Sequence, residues 1–221
     1  MSNQYKPQIE EAIRMFWLTK ERQGNVLAGK QLDAFLSLLV NVAVDSGIPK
    51  DCIFLKNNQI PGYYRASKNW DFLIVSKHKH LIAAIELKSQ VGSYGNNLNN
   101  RVEESLGSSE DFWTAFREHS FSCIQTPWLG YIMVVGEDDK STHPVSVSEP
   151  HFPVRSEFKN TTYLERYKIL CQRLITEHKY NAVALIATKD KHNFRDLSSN
   201  ISINSFINSF KGYLSGVADE F

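Results

Sequence analysis

Residues 70–88, WDFLIVSKHKHLIAAIELK, carry two apolar runs separated by a basic, polar tip. Residues 72–75 and 81–85 are apolar on both faces, the pattern of a strand pair covered on both sides. With His78 and Lys79 as a two-residue hairpin tip, Lys77 pairs with His80 and Ser76 with Leu81, and the ladder descends until Asp71 faces Glu86. Directly opposed residues have Cβ atoms about 4.5–5.5 Å apart. Lys88, two residues beyond Glu86, points to the same face. Two carboxylates at the edge of an apolar environment repel each other, and burying either one unpaired is costly. A divalent cation relieves both penalties, and oxygen ligands with retained waters suit Mg²⁺. The lysine then stands where an activated water meets a scissile phosphate. The same triplet also reads as a buried carboxylate–lysine pair with a purely structural role.

Working outward, Ile9, Ile13, Phe16 and Trp17 recur at helical spacing and predict a helix over 8–22. A second helix over 30–46 carries a broad apolar stripe (Leu32, Phe35, Leu36, Leu39, Val40, Ala43) and ends at Gly47-Ile48-Pro49. Strands are expected over 52–55, 69–76, 80–90, 128–135 and 182–187, with Asn57-Asn58 and Pro61-Gly62 as turns. Residues 91–100, rich in Gly, Ser and Asn, read as a loop. Helices are expected over 101–119 and 163–178, an irregular stretch over 137–159, and a C-terminal amphipathic helix on Ile203, Phe206, Ile207 and Phe210. The economical reading is one α/β domain over 1–221 with a central mixed sheet flanked by helices. It divides into N-terminal helices (1–47), a catalytic core holding the metal site (51–135) and a C-terminal helix–strand–helix (160–221).

A chain of 221 residues with 42% hydrophobic and 22% charged residues is neither disordered nor too small for a real core. No apolar run approaches the roughly 20 residues that span a bilayer. The N-terminal segment lacks the apolar region of a signal peptide, so a cytoplasmic protein is expected. Cys52, Cys123 and Cys171 have no metal-ligand spacing and read as reduced, structural residues. A formal net charge of +1 excludes a simple polybasic binder. That charge is unevenly distributed: between Lys56 and Arg101 seven basic residues face two acidic ones, a surplus of +5 that leaves −4 for the remainder. The surplus surrounds the carboxylate pair, as phosphate contacts require.

The stretch 90–101 adds Asn96, Asn97, Asn99, Asn100 and Arg101. Asparagine pairs bidentately with adenine and arginine with guanine, so these residues are candidates for reading DNA bases. The same stretch also reads as a plain turn, with Asn100 as the N-cap of the following helix and Glu103 completing the cap. Asp33, Glu103 and Glu104 are candidate ligands for a second ion, although acids at such positions are more often ordinary helix-surface or capping residues. Tyr63, Tyr64 and Arg65 can touch DNA, although aromatic residues beside a strand usually belong to the core. His78 and His80 read as tip residues, and His143 and His151 lack companion cysteines for zinc.

Asp71-x(14)-Glu86-x-Lys88 on consecutive strands is the pattern of the PD-(D/E)xK nucleases. The chain further resembles the XhoI family of type II restriction endonucleases. The resemblance rests on Pro61-Gly62-Tyr63, Trp70-Asp71, Ile85 to Gly92, the asparagine-rich block from Gly95 to Glu104, Glu149-Pro150-His151-Phe152-Pro153-Val154, and the stretch from Tyr163 to Leu174. It implies a homodimeric, Mg²⁺-dependent enzyme on the restriction-endonuclease-like fold. Such an enzyme cuts double-stranded DNA at the palindrome CTCGAG to leave 5′ overhangs, and has a cognate DNA methyltransferase as functional partner. Carried over, Asp71 and Glu86 become the metal ligands, and Lys88 the residue that positions or deprotonates the water. Trp70 stands where the wider superfamily motif has proline. Two other readings share these residues: a repair or junction-resolving nuclease on the same core, and a DNA-binding module whose catalytic site has decayed.

Overall fold

The computed structural model describes residues 4–23, 30–218 and 221. Among these, six strands form one mixed sheet in the order β1 (Ile53–Phe54), β4 (Phe72–Val75), β5 (Leu81–Gln90), β6 (Trp128–Gly136), β7 (Ala182–Thr188) and β8 (Phe194–Asp196). Strands β5, β6 and β7 run parallel, and the outer pairings are antiparallel. A separate two-stranded ribbon pairs β2 (Gln59–Pro61) with β3 (Ser67–Asn69). β6 and β7 are buried along their whole length, because helices cover both faces of the sheet.

Helices α1 (Lys6–Gln23), α2 (Asp33–Asp45) and α6 (Ile203–Ser215) cover one face, where Phe16, Phe35, Leu39, Phe206 and Phe210 pack on Phe72, Ile85 and Ile132. The other face carries α3 (Tyr94–Arg117) and α5 (Tyr163–Thr176), whose Phe112, Tyr167 and Leu174 meet Leu73, Ala84 and Tyr131. A single turn, α4 (Asp139–Thr142), opens the otherwise irregular stretch that follows β6. Thr162 caps α5 through a reciprocal box with Glu165, its hydroxyl accepting from Glu165 N at 3.1 Å while its own N–H donates to Glu165 Oε2 at 2.7 Å.

Three local expectations change. The strand expected over 69–76 is two elements, β3 and β4, broken by a bend at Trp70-Asp71. The hairpin tip holds three residues rather than two: Lys79 N donates to Ser76 O at 2.9 Å, Ser76 N donates to His80 O at 2.9 Å, and Lys79 adopts φ 64°. A bulge then restores the expected ladder, since Val75 pairs with Leu81 but Ile74 with Ala83, Leu73 with Ala84 and Phe72 with Ile85. The extra residue, Ile82, keeps Glu86 and Lys88 on the α3 side of the sheet.

The largest change lies after β5. The expected loop over 91–100 is mostly helix: α3 starts at Tyr94, and Ser93 at φ 48° is its N-cap in place of Asn100. Asparagine and glycine disfavour helix intrinsically, by about 0.5–1 kcal/mol per residue relative to alanine. Burial of Tyr94 and Leu98, one helical turn apart, outweighs this. Gly95 permits the close approach, because a Cβ there would sit 2.5 Å from the Tyr163 hydroxyl. The short edge strand β8 had no sequence expectation.

Candidate active site

The bend at Trp70-Asp71 is the local event that builds the site. Trp70 drops into the core with 2% exposure and packs edge-on against Phe112, with ring centroids 5.4 Å apart. That anchor turns the next side chain toward β5, where Asp71 Oδ2 accepts the Leu87 N–H at 2.7 Å. Glu86 is 4% exposed and holds two lysines. Lys88 Nζ pairs with Oε1, and Lys68 Nζ lies 2.9 Å from Oε2. Lys68 also rests over the Trp70 ring, 4.8 Å from its centroid. Asp71, Glu86 and Lys88, separated in sequence, are therefore brought together.

Glu86 and Lys88 open onto a notch of about 250 Å³, walled by Arg65 and Lys68 on one side and by Glu103, Glu104 and Ser108 of α3 on the other. Of the three acids named as second-ion candidates, Glu103 and Glu104 line the notch. Asp33 starts α2 on the opposite face of the sheet and lies outside the site. The expected basic surround is only partly present. Lys77 and Lys79 sit in the hairpin turn, roughly 20 Å along β5 from Glu86, and the two α3 glutamates offset the remaining cations.

Burial raises the Asp71 carboxyl above the usual aspartate range, and the Glu86 charge raises it further. The Leu87 N–H, Lys88 and Lys68 pull it back without cancelling the effect. Burial alone would depress Lys88, but the charges of Glu86, Asp71 and Glu104 outweigh it and hold the ammonium above the usual lysine range. The raised Asp71 value means the native state keeps this proton to higher pH than the unfolded chain. Its contribution to stability is full below the unfolded value and is lost as pH rises through the folded one. Asp71→Asn, which removes the charge but keeps an acceptor for Leu87, is expected to raise the metal-free melting temperature at neutral pH. The gain disappears toward acid. Melting curves in a chelator from pH 4 to 8 check this, and a lower melting temperature at pH 7 contradicts it.

The donor set accepts a divalent cation. Glu86 Oε2 is buried without a hydrogen-bond partner, the Lys68 ammonium lying near it but out of hydrogen-bond alignment. Among the described residues no group of three or more His, Cys, Asp or Glu could hold an ion, so no all-protein cage is present. Glu86 on an open notch, with Asp71 on the neighbouring strand end, instead matches a cation that keeps several waters and takes phosphate oxygens.

The asparagine block forms the first two turns of α3. Asn96 and Asn100 are exposed, one turn apart, in line with Glu103. Asn97 is folded back, with Nδ2 donating to Ser93 O at 2.9 Å. Asn99 lines a separate apolar groove between α3 and α5. Arg101 leans over the end of β5, held by Glu104 Oε2 at 2.6 Å, with Nη2 3.5 Å from Ser89 O. Tyr63 and Tyr64, expected in the core, are 52% and 68% exposed. Lys68 and Asp111 entered no sequence-based site: Lys68 appeared only as part of a charge count, and Asp111 is an unremarkable helix acid until the fold sets it against the β2–β3 ribbon.

No helix of the described residues is long and apolar enough to cross a membrane. Residues 18–199 match the sequence model described as restriction endonuclease XhoI. The chain is 49% identical over 170 residues to the type II restriction enzyme BstVI of Geobacillus stearothermophilus, spanning 74% of this chain and 76% of that one. It is 43% identical over 159 residues to XhoI of Xanthomonas vasicola (70% and 63%), and 34% identical over 177 residues to AbrI of Azospirillum brasilense (72% and 79%). No solved structure matches it significantly.

Proposed function

The chain belongs to the XhoI family of restriction endonucleases, and from that premise we propose that it hydrolyses double-stranded DNA at a palindromic hexamer using Mg²⁺ held by Asp71 and Glu86. The observation that carries this reading is the buried Glu86 carboxylate, gripped by Lys68 and Lys88 beside Asp71 at the mouth of an open notch. Carboxylates on adjacent antiparallel strands of a helix-covered mixed sheet accord with the PD-(D/E)xK fold. CTCGAG, cut to leave 5′ overhangs, is the site the family suggests. A palindrome is cut on both strands most simply by two symmetric active sites, which makes the working unit a homodimer. A cognate methyltransferase protecting the same site, and a cytoplasmic location beside the host DNA, complete the proposal.

A bound divalent cation supplies positive charge against the charge that develops on the phosphoryl group and eases loss of a proton from water. Asp71 and Glu86 bind it, with Asp71 fixed in direction by the Leu87 N–H. Lys88 Nζ, a cation in this environment, orients the attacking water and stabilises negative charge on the phosphate oxygens. Lys68 neutralises the second Glu86 oxygen and keeps that side chain extended toward the notch. Asn96 and Asn100 present amides from the first turns of α3 to the base edges, and Arg101 sits one turn from Asn97 toward the phosphates. Asn97, folded back onto Ser93 O, and Asn99, in the groove between α3 and α5, fall outside this readout.

Digestion of phage DNA with Mg²⁺ tests the reading. Discrete bands with uniform ends support it. Smears, cutting of branched DNA alone, or no metal-dependent cutting overturn it in favour of a structure-selective nuclease or a decayed site. Asn100→Ala is expected to lose about 1–3 kcal/mol of base discrimination, seen as a 10- to 100-fold drop in cleavage at the cognate site relative to single-base variants of it.

A further inference from the structure

The loop joining β2 to β3 is held in an unusual way for a surface turn. Asp111, 3% exposed in the middle of α3, accepts two backbone N–H groups on one carboxylate oxygen, Tyr63 at 2.9 Å and Tyr64 at 2.8 Å. Its other oxygen meets Arg65 Nε at 2.9 Å. Gly62 completes the clamp, since a Cβ there would lie 2.6 Å from Asp111 Oδ2 and 2.8 Å from Arg65 O. The clamp orders a tip whose two aromatic rings stay in solvent, packed edge-on at 5.0 Å. Burying a carboxylate and ordering a turn both cost free energy. No hydrophobic return is visible, because the rings that the turn presents are not buried.

The tip is continuous with the catalytic notch. Arg65 lines the notch, and Lys68, three residues on, touches Glu86. Lys68 lies four positions after Tyr64, a reach of at most about 13 Å between their Cα atoms. Along DNA this is roughly four base steps at about 3.4 Å each. The tyrosines are therefore near enough to reach a duplex whose scissile phosphate lies at Lys88. On the endonuclease reading above, we propose that Tyr63 and Tyr64 form a preset DNA clamp, packing their rings on the deoxyribose–phosphate backbone that flanks the scissile bond, with Asp111 as the positioning residue. Tyrosine suits this use: it offers large apolar area and a hydroxyl at the cost of only two side-chain torsions. A turn already fixed before binding loses little further entropy when DNA arrives.

The test uses the full-length protein and a fluorescently labelled duplex carrying the site mapped from the wild-type digest. Binding is read by anisotropy without divalent metal, cleavage by single turnover with Mg²⁺, and assembly by light scattering. The double variant Y63A/Y64A is expected to weaken binding about tenfold or more, with a smaller fall in the rate at saturating DNA. The slope of log Kd against log salt is unchanged, because tyrosine neutralises no phosphate. Arg65→Ala lowers that slope by about one. Wild-type affinity in the double variant overturns the proposal while leaving the endonuclease reading intact. Loss of dimerisation at unchanged DNA affinity per dimer also overturns it, by making the tip a subunit contact. A wild-type protein that binds no DNA overturns both readings.

Discussion

Replacing Glu86 with alanine is expected to lower single-turnover cleavage about 10³-fold or more while leaving DNA binding in place. Glu86 is one of only two carboxylates at the β4–β5 junction, and it is the common partner of Lys68 and Lys88. On the proposed site its removal takes away one of the cation's two protein ligands, and it leaves the Lys68 and Lys88 ammonium groups without the carboxylate they share. Affinity for DNA in the absence of metal should hold or rise, because a negative charge has left a surface that meets phosphates. Glu86→Gln separates charge from shape: it keeps the volume of the side chain and should be nearly as inactive. Asp71→Ala and Lys88→Ala should show the same division between lost cleavage and retained binding. Rates on supercoiled plasmid with Mg²⁺, set beside metal-free Kd values, make the measurement. An E86A protein cutting within tenfold of wild type removes Glu86 from the catalytic centre.

The second large effect concerns stability. Asp111→Ala is expected to cost about 3 kcal/mol, read as a shift of the denaturant midpoint without a change of slope. The carboxylate accepts the Tyr63 and Tyr64 N–H groups and pairs with Arg65. Alanine leaves those two donors without partners and opens a small void beneath the ribbon. The Arg65 share is modest, because its side chain is 44% exposed and can turn to water. Asp111→Asn keeps an acceptor for the two N–H groups and should recover part of the loss. A cost below 1 kcal/mol for the alanine variant would show that the ribbon holds its shape without the clamp.

The hairpin and its carboxylates were legible because strand alternation is local. Once residues 72–75 and 81–85 are recognised as doubly buried strands, the facing of Asp71 and Glu86 follows from counting. The count survived a mistaken tip. The three-residue turn displaced the register by one, and the bulge at Ile82 displaced it back, since a slip by one would turn Glu86 and Lys88 into the apolar core under α1, α2 and α6. The beginning of α3 was not legible for the opposite reason. Gly95 to Asn100 has the composition of a turn, and the forces that make it helical come from elsewhere: Tyr94 and Leu98 buried in the core between the sheet and α5, and Tyr163 against the backbone at Gly95.

The segment 70–88 and the blocks around it were enough to place the chain in its family and to nominate three residues for catalysis, because the nominated side chains lie two residues apart on one strand and at the end of its hairpin partner. The wall of the notch belongs to contacts distant in the chain. Lys68 reaches Glu86 through the bend at Trp70, Glu103 and Glu104 arrive on a helix expected to start later, and Asp111 meets Tyr63 across 48 positions. Alternation along a strand fixes which way neighbouring side chains point, but contact between separate elements depends on how helix and sheet faces pack, and that packing is an energy of the whole core rather than of any one segment.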